Sequence, residues 1–286
     1  MNRILEEMLA RYQAENLTDR KNAVKEIMQE IVLCGLSRAG FFQNTAFYGG
    51  TALRIFYGLD RFSEGLDFSL RSPDPGFALT DYFPALRRES AAYGLHVEIA
   101  EKEKTKDSAI RSAFVKGNTR EHMLLFYETR DAVGGITGNE VIRIKFEVDT
   151  NPPSGAGIEH RYRLLPAPYE VALYDLPSLF AGKAHAVICR AWKNRVKGRD
   201  LYDYVFFLAR SASLNTEHLK ARLVQSGAWS SEAPFTLADA KKLLRDRFAA
   251  IDYTQAREDV RPFLRDPSSL KLWSADFFCQ ITDELR

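Results

Sequence analysis

The sequence predicts an α/β (α+β) fold, with a mixed α/β part up to about residue 170 and a mainly helical part after it. Residues 142–149 alternate apolar and charged side chains, which is typical of a strand with one buried face and predicts a strand at 141–149. Residues 22–33 repeat apolar side chains at the spacing of an amphipathic helix. From about residue 176 onward the apolar spacing is mostly helical. We therefore expect two domains, residues 1–170 and residues 171–286.

The other expected elements follow from the same periodicities and from glycine and proline punctuation. In the first part we expect helices at 51–57 and 80–93 and strands at 66–70, 95–100 and 112–115. Residues 120–127 fit a helix or a strand, and the charged residues 101–111 predict a loop or hairpin arm. Gly35 is expected to end the first helix, and Thr236 to cap a later one. In the second part we expect helices at 177–192, 199–210, 215–225, 236–249 and 267–285.

The composition favours a soluble globular protein. Hydrophobic residues make up 45% of 286 residues and charged residues 27%, which suffices for a sizeable core. No apolar run is long enough to cross a membrane, and residues 1–7 contain no apolar signal-peptide core. The three cysteines are too few and too far apart for a disulfide framework or a zinc site. We expect a cytoplasmic protein that does not associate with membranes.

A Gly-Gly-Thr turn at Gly49, Gly50 and Thr51 opens the helix expected at 51–57. Glycines let the backbone approach an anion closely, and the first amides of a helix bind phosphate. Thr51 could add a hydroxyl contact. Such a turn alone is a weak signal, and a plain tight turn is the simpler interpretation. Its proximity to Asp67, a lone carboxylate between two apolar residues on the next expected strand, favours a nucleotide site with a metal ion.

Further candidates lie later in the chain. Glu147, Asp149 and Lys145 share the polar face of strand 141–149, which could be a metal site or simply a solvated face. Lys183 falls within the apolar stripe of its helix, so it either extends out to solvent or points into a cleft. Asp200 and Asp203 share a helix face, although Asp200 could equally be an N-cap.

A basic run without acidic residues extends from residue 183 to residue 199. It could attract phosphates, or it could be a solvated helix end and loop. Its members are Lys183, Arg190, Lys193, Arg195, Lys197 and Arg199.

In their order along the chain, these pieces resemble the AbiEii-type nucleotidyltransferase toxins, which include the mycobacterial MenT toxins, in the nucleotidyltransferase superfamily. No single motif is decisive, but the ordered set is fairly specific. It consists of Gly49-Gly50-Thr51-Ala52-Leu53, Arg61-Phe62-Ser63-Glu64-Gly65-Leu66-Asp67-Phe68, Lys145-Phe146-Glu147-Val148-Asp149-Thr150-Asn151-Pro152-Pro153, Lys183-Ala184-His185-Ala186 and Lys197-Gly198-Arg199-Asp200-Leu201-Tyr202-Asp203.

The resemblance implies a polymerase-β-like core with helical additions, in which the C-terminal part completes the active site. It implies Mg²⁺-dependent transfer of a nucleoside monophosphate from an NTP to an acceptor, which can be the 3′ end of tRNA. It also implies a cognate antitoxin and a role in phage defence. The implied nucleotide-binding residues are Gly49, Gly50, Thr51, Arg61, Ser63 and Lys183, the implied metal ligands are Asp67 and Glu147, and the implied catalytic residues are Asp67, Lys183 and Asp200.

The chain departs from the family pattern at Gly65. The family pattern has two aspartates, here at positions 65 and 67, and the loss of one carboxylate should weaken the binding of Mg²⁺. Glu64 cannot replace it, because on a strand it faces the opposite side. We expect this chain to be weakly active or inactive, unless another carboxylate such as Glu147 or Asp149 compensates. Gly65 is then either a natural variation that reduces or abolishes activity or an engineered or selected inactivating change.

Two other functions stay open. The chain could be a catalytically dead nucleotide-binding module that acts through a protein partner. It could also be a small-molecule nucleotidyltransferase, for example one that acts on an aminoglycoside. That acceptor calls for an acidic pocket, whereas the basic run favours an RNA acceptor.

Overall fold

The structure is a computed structural model that describes residues 2–102, 109–128, 133–190 and 196–286. The α-helices of this part of the chain are α1 (Arg3–Leu9), α2 (Leu17–Arg38), α3 (Gly49–Tyr57), α4 (Phe83–Ala92), α5 (Thr119–Tyr127), α6 (Leu176–Cys189), α7 (Gly198–Ala209), α8 (Thr216–Gln225), α9 (Leu237–Phe248), α10 (Tyr253–Val260) and α11 (Ala275–Ile281). The strands are β1 (Thr45–Tyr48), β2 (Gly65–Leu70), β3 (Glu98–Glu101), β4 (Ile110–Asn118), β5 (Val141–Asp149), β6 (Ile158–Arg163) and β7 (Tyr169–Tyr174). None of the helices in these ranges combines the length and the apolarity that a membrane crossing needs.

The seven strands form one mixed sheet in the order β3-β4-β5-β2-β1-β7-β6. β2 lies near the middle, antiparallel to β1 and parallel to β5. This arrangement confirms the predicted α/β fold with a mixed sheet. It also places the two strands that carry the predicted carboxylates side by side.

One face of β2 and β5 builds an aromatic core. The Phe68 ring lies 5.0 Å from the rings of Phe41, Phe47 and Phe146. Phe68 and Phe146 alternate along their strands with the polar positions 67 and 147. Because side chains alternate across a strand, the buried phenylalanines turn Asp67 and Glu147 toward the opposite face of the sheet.

Compact units divide the chain differently from a single boundary at residue 170. The first unit comprises residues 1–51, 63–152 and 160–173, and the second comprises residues 52–62, 153–159 and 174–286. Most of α3, with the loop that follows it, therefore groups with the C-terminal helices. Residues 52–62 and 153–159 lie in the first part of the sequence but belong to the second unit. The two units are therefore not separated by one boundary in the sequence.

The predicted elements are mostly present, with a few informative differences. Strand 141–149 has the predicted bounds, strand 66–70 is found one residue longer as β2, and residues 120–127 lie within α5. The predicted helix 267–285 is wrong, because two 3₁₀ turns and the short α11 replace it. The missed elements are α1, α10, β6 and β7. The predicted loop 101–111 lies largely outside the described residues.

Gly35 does not end the first helix. α2 continues through it to Arg38, and a Cβ at position 35 would lie 2.9 Å from the Cβ of Glu89 on α4. The glycine is thus needed for close packing of two helices and not for a helix stop.

Candidate functional site

The Gly-Gly turn lies directly against Asp67 within the first unit. Gly49 has a φ of +83°, which favours glycine, and a Cβ there would lie 2.6 Å from Asp67 Oδ2. Tyr48, at the end of β1, pairs with Asp67 of β2 in the antiparallel register. The predicted proximity of the turn and the carboxylate is therefore confirmed.

Thr51 links the turn to the start of β2. Its hydroxyl donates a hydrogen bond to the carbonyl oxygen of Gly65, and the residue is 0% exposed. The hydroxyl therefore serves to hold the two segments together. A contact of Thr51 with a phosphate would have to come from its backbone amide.

Asp67 and Glu147 are neighbours on adjacent parallel strands. The register of β2 and β5 pairs Gly65 with Lys145 and Asp67 with Glu147. Both carboxylates are partly exposed on the face opposite the aromatic core. The structure thus brings together the two predicted metal ligands.

Glu147 already has two polar partners. Lys145 Nζ lies 2.5 Å from Glu147 Oε2, and Ser112 Oγ donates a hydrogen bond of 2.9 Å to Glu147 Oε1. The ammonium neutralises much of the charge that Glu147 would offer to a cation. A metal at this face would therefore find Asp67 beside a Glu147 whose charge Lys145 already balances.

The two carboxylates suit a Mg²⁺ ion whose other ligands are phosphates and water. They do not suit a metal ion that is held by protein side chains alone. Mg²⁺ prefers oxygen ligands and commonly uses one or two carboxylates together with substrate phosphates and water. Within the described ranges, no cluster of three or more His, Cys, Asp or Glu side chains is placed to hold a metal. Asp67 and Glu147 thus offer the two carboxylates that a magnesium ion shared with phosphates would use.

Position 65 can accept a side chain, although tightly. Gly65 has an ordinary strand conformation, and a Cβ there would lie 3.2 Å from the carbonyl oxygen of Lys145. Glu64 is exposed and lies 3.7 Å from Lys25 Nζ on α2. This contact directs Glu64 toward α2, and the expectation that Glu64 does not replace the missing carboxylate stays a prediction.

Ser63, another predicted nucleotide contact, immediately precedes Glu64 and is partly exposed. Its carbonyl oxygen accepts a hydrogen bond of 3.1 Å from Gln29 Nε2 of α2. This bond fixes the backbone of the segment that leads into β2. The bond does not involve the Ser63 hydroxyl, so the contact of this hydroxyl with a nucleotide stays a prediction.

The remaining predicted residues meet in a chain of charges within the second unit. Lys183 Nζ lies 2.7 Å from Asp200 Oδ1 and 2.8 Å from Asp203 Oδ2. Arg61 grips Asp203 through two contacts of 2.6 Å, and Arg190 Nη1 lies 2.8 Å from Asp200 Oδ2. Lys183 points inward and is 13% exposed at its side chain, so it does not extend out to solvent.

These groups keep each other charged. Burial is the largest influence on Lys183 and lowers its pKa, but Asp200 and Asp203 outweigh it, so the pKa is raised. Burial likewise raises the pKa of Asp203, yet Arg61 and Lys183 outweigh it, and the pKa is lowered. Lys183 is therefore an ammonium and Asp203 a carboxylate at neutral pH.

Asp200 is not an N-cap. α7 begins at Gly198, and Asp200 lies in its first turn, where its carboxylate meets Lys183 and Arg190. Gly198 is required because a Cβ there would lie 1.8 Å from the carbonyl oxygen of Ala256 on α10. This close approach fixes the start of α7 and thereby the two aspartates.

The basic run is partly neutralised inside the molecule. Lys183 and Arg190 are paired with Asp200, and the guanidinium of Arg199 lies 4.1 Å from the centre of the Phe263 ring. Lys193 and Arg195 lie outside the described residues. The run is therefore not a uniform cationic surface, which its sequence alone did not reveal.

Sequence reasoning did not identify the partners that hold the predicted residues. It left out the contact of Ser112 with Glu147 and the grip of Arg61 on Asp203. The i,i+3 spacing of Asp200 and Asp203 was a usable signal for the contact of Arg61 with Asp203, since both aspartates must face the same neighbours.

One solved structure shows the same fold over nearly the whole chain. The crystal structure of JHP933 from Helicobacter pylori matches with a TM-score of 0.51 and 19% identity, covering 91% of this chain and 89% of that one. A structure described as a candidate nucleotidyltransferase from H. pylori matches with a TM-score of 0.44 and 18% identity, covering 90% of each chain. No curated protein sequence matches significantly.

A family model settles the relationship. The model described as the nucleotidyl transferase AbiEii toxin of type IV toxin–antitoxin systems matches residues 31–279, which include every predicted site residue. The resemblance inferred from the ordered motifs is thereby confirmed, and the chain belongs to the AbiEii nucleotidyltransferase toxin family.

Proposed function

We propose that the reaction this site is built for is transfer of a nucleoside monophosphate from an NTP to an acceptor, with the 3′ end of tRNA as the acceptor. The observation that carries the proposal is the placement of Asp67 against the Gly49 turn and beside Glu147. A backbone cradle next to carboxylates suits a triphosphate and its counterion. Family membership supports the same class of reaction.

The proposed chemistry assigns a task to each group. The amides that follow Gly49 and Gly50 hold the triphosphate, and Lys183 donates to a phosphate oxygen. Asp67 would hold Mg²⁺, with Glu147 as a weaker second ligand, and the ion would supply positive charge to the phosphates. The acceptor hydroxyl attacks the α-phosphorus while its proton passes to solvent water, the bond from the α-phosphorus to the oxygen that bridges to the β-phosphate breaks, and pyrophosphate leaves.

Gly65 should limit this activity. One carboxylate fewer faces the metal position, and the ammonium of Lys145 already occupies Glu147. We therefore propose that the chain as it stands is weakly active or inactive. Restoring a carboxylate at position 65 should raise the rate.

The test is incorporation of labelled nucleotide into total tRNA, with each of four NTPs and Mg²⁺. We would compare the unchanged chain with Gly65→Asp and with Gly65→Asn, which adds almost the same volume without the charge. Labelling by the aspartate variant and not by the asparagine variant supports the proposal. Equal labelling by all three would contradict the metal role of this position.

The strongest alternative is a nucleotide-binding module without catalysis. The neutralisation of Glu147 by Lys145 favours it, because that ion pair lowers the negative charge available to a metal. Its signature is NTP binding without turnover in both the unchanged chain and Gly65→Asp.

A small-molecule acceptor is the third possibility. Binding of RNA that weakens steeply as salt rises would support the RNA acceptor, because phosphate contacts release counterions. If such binding is absent, an aminoglycoside-like acceptor becomes the better proposal. The internal pairing of Lys183 and Arg190 makes this measurement more decisive than charge counting.

We further propose that a cognate antitoxin restrains the chain in the cytoplasm and that the pair takes part in phage defence. Membership in a type IV toxin–antitoxin family supports an antitoxin partner. Growth of a bacterial host that expresses Gly65→Asp, with and without the neighbouring gene, tests this part.

A further inference from the structure

Five charged groups in the second unit alternate in sign. They follow the order Arg61, Asp203, Lys183, Asp200 and Arg190, with contacts of 2.6 to 2.8 Å between neighbours. Three are cationic and two are carboxylates, so the chain carries one net positive charge. Such a chain suits the binding of an anion at whichever cation has a free donor.

Asp203 is the member that no ligand can reach. Its side chain is 0% exposed, and both of its oxygens are engaged. Oδ1 accepts from Arg61 Nε, whereas Oδ2 accepts from Arg61 Nη2 and lies 2.8 Å from Lys183 Nζ. Asp203 can therefore influence a ligand only through Lys183.

Arg61 is equally committed. The residue is 2% exposed, and Nη1 donates a further hydrogen bond of 3.0 Å to the carbonyl oxygen of Phe62. Both neighbours of Arg61 are fixed as well, because Tyr202 donates to Asp60 and the Phe62 amide donates to the Phe263 carbonyl. The loop thus holds the guanidinium in one place.

Lys183 keeps one donor. An ammonium group has three N–H bonds, and two of them are directed to Asp200 and Asp203. Two fixed acceptors determine where the third N–H points. A misplaced Asp203 would leave the ammonium free to rotate and to shift toward Asp200.

We propose that Asp203, held by Arg61, is a positioning residue that aims the ammonium of Lys183 at a phosphate of the bound nucleotide. The inference rests on the proposed function, because it takes the contact of Lys183 with a phosphate from there. In this proposal Arg61 does not make the nucleotide contact that the sequence predicts, but holds Asp203 and thereby positions Lys183. The competing explanation is a buried ion pair that only stabilises the fold.

The experiment measures binding of inorganic tripolyphosphate, in the presence of Mg²⁺, by isothermal titration calorimetry. It needs no turnover, so the effect of Gly65 on activity does not obscure it. The variants are Lys183→Met, Asp203→Asn and the double variant Arg61→Met/Asp203→Leu. Asp246→Asn, on the exposed face of α9, is the matched control for the loss of one carboxylate.

We expect Lys183→Met and Asp203→Asn each to weaken binding about tenfold or more, since each disturbs a charge-assisted hydrogen bond. The double variant replaces the buried pair with apolar side chains, which can restore stability. We expect it to unfold near the temperature of the unchanged chain and still to bind weakly. Asp246→Asn should bind normally.

A pH series adds a readout that a purely structural pair would not change. Among the described residues, the charged groups that act on the Lys183 ammonium are Asp200, Asp203 and Arg61, with Arg190 beyond Asp200. Loss of the Asp203 charge removes a group that favours the ammonium. In Asp203→Asn, tripolyphosphate affinity should therefore decline at a lower pH than in the unchanged chain.

The outcomes separate the two proposals. Binding that depends on Lys183 but is unaltered in Asp203→Asn, or normal in the stable double variant, overturns the positioning role and leaves the proposed function intact. Binding that is absent, or equal in Lys183→Met, overturns the contact of Lys183 with phosphate and the positioning role with it. If Asp203→Asn does not fold, the double variant and Arg61→Lys, which keeps the charge but loses the two-point grip, decide the question.

Discussion

At the scale of single residues, the charge on the sheet face around Asp67 depends on one ammonium. Lys145 lies opposite Gly65 in the strand register and forms an ion pair with Glu147. Position 65 thus lacks the carboxylate that the family pattern has there, and its neighbour is a cation. The balance of charge at this face is thus shifted away from metal binding. A change of either residue 65 or residue 145 should restore it.

Replacing Lys145 with Met should therefore strengthen divalent-cation binding severalfold, since removing a nearby like charge favours the ion. The measurement is titration with Mn²⁺ followed by electron paramagnetic resonance. Arg143→Met is the control, because it removes the same charge one position farther along the same face of β5. Equal gains in both variants would show a general charge effect and not a local one.

The buried hydroxyl of Thr51 gives a second prediction at this scale. Thr51→Val keeps the shape but removes the donor to the Gly65 carbonyl, so the free energy of unfolding should fall by about 1–3 kcal/mol. Urea denaturation measures it, with Thr80→Val at an exposed position as the control. A loss no larger than in the control would mean that the Gly65 carbonyl finds another donor.

The candidate residues were predictable because their chemistry is visible in their type and spacing. Lys183 stood out as a cation in an apolar stripe, and Asp67 as a carboxylate between two apolar residues. Their partners were not predictable, because Arg61 meets Asp203 across 142 positions of sequence. Only the folded chain brings such distant residues into contact.

At the scale of elements, alternation and helical spacing were most reliable where one face is buried. Strand 141–149 was predicted with its observed bounds because four alternate apolar residues of β5 face the core, namely Ile142, Ile144, Phe146 and Val148. The predicted helix 267–285 failed because 3₁₀ turns interrupt a segment whose apolar spacing resembles that of a helix. Local pattern cannot show where tertiary packing breaks a helix.

Two helical glycines should respond in opposite ways to alanine. Gly35→Ala should lower the free energy of unfolding despite the better helix propensity of alanine, because the new Cβ would lie 2.9 Å from the Glu89 Cβ. At Gly182 in α6 the new Cβ would contact only Arg222, at 3.9 Å, so Gly182→Ala should raise the free energy of unfolding by up to about 1 kcal/mol. Thermal unfolding of both variants checks the pair, and stabilisation by Gly35→Ala would contradict the packing argument.

At the scale of the whole molecule, acid sensitivity should come partly from two histidines, the half-buried His185 and the buried His218. Burial lowers the pKa of both His185 and His218 to about 4. In the unfolded chain each titrates near pH 6.5, so the unfolded state binds protons first as the pH falls. Their contribution to stability is therefore complete above about pH 6.5 and is lost progressively toward pH 4.

His218→Asn tests this dependence, because its side-chain amide can still donate to the Ser154 carbonyl that His218 Nδ1 contacts at 2.7 Å. We expect a smaller drop in unfolding temperature between pH 7.5 and pH 5 than in the unchanged chain. The matched control is His160→Asn, which alters a partly exposed histidine on β6. An unaltered pH dependence in His218→Asn would rule out this histidine as a source.

The sequence by itself determined the α/β class, the order of the motifs and the family, because periodicity and residue type are local properties that survive without coordinates. Only the tertiary structure decided that Asp67 lies beside Glu147, that Lys145 neutralises Glu147, and that Arg61 serves Asp203. Strand register, helix packing and burial together determine which of these side chains come into contact. The physical reason is that the charge felt by each group depends on its neighbours in space, which spacing along the chain does not specify.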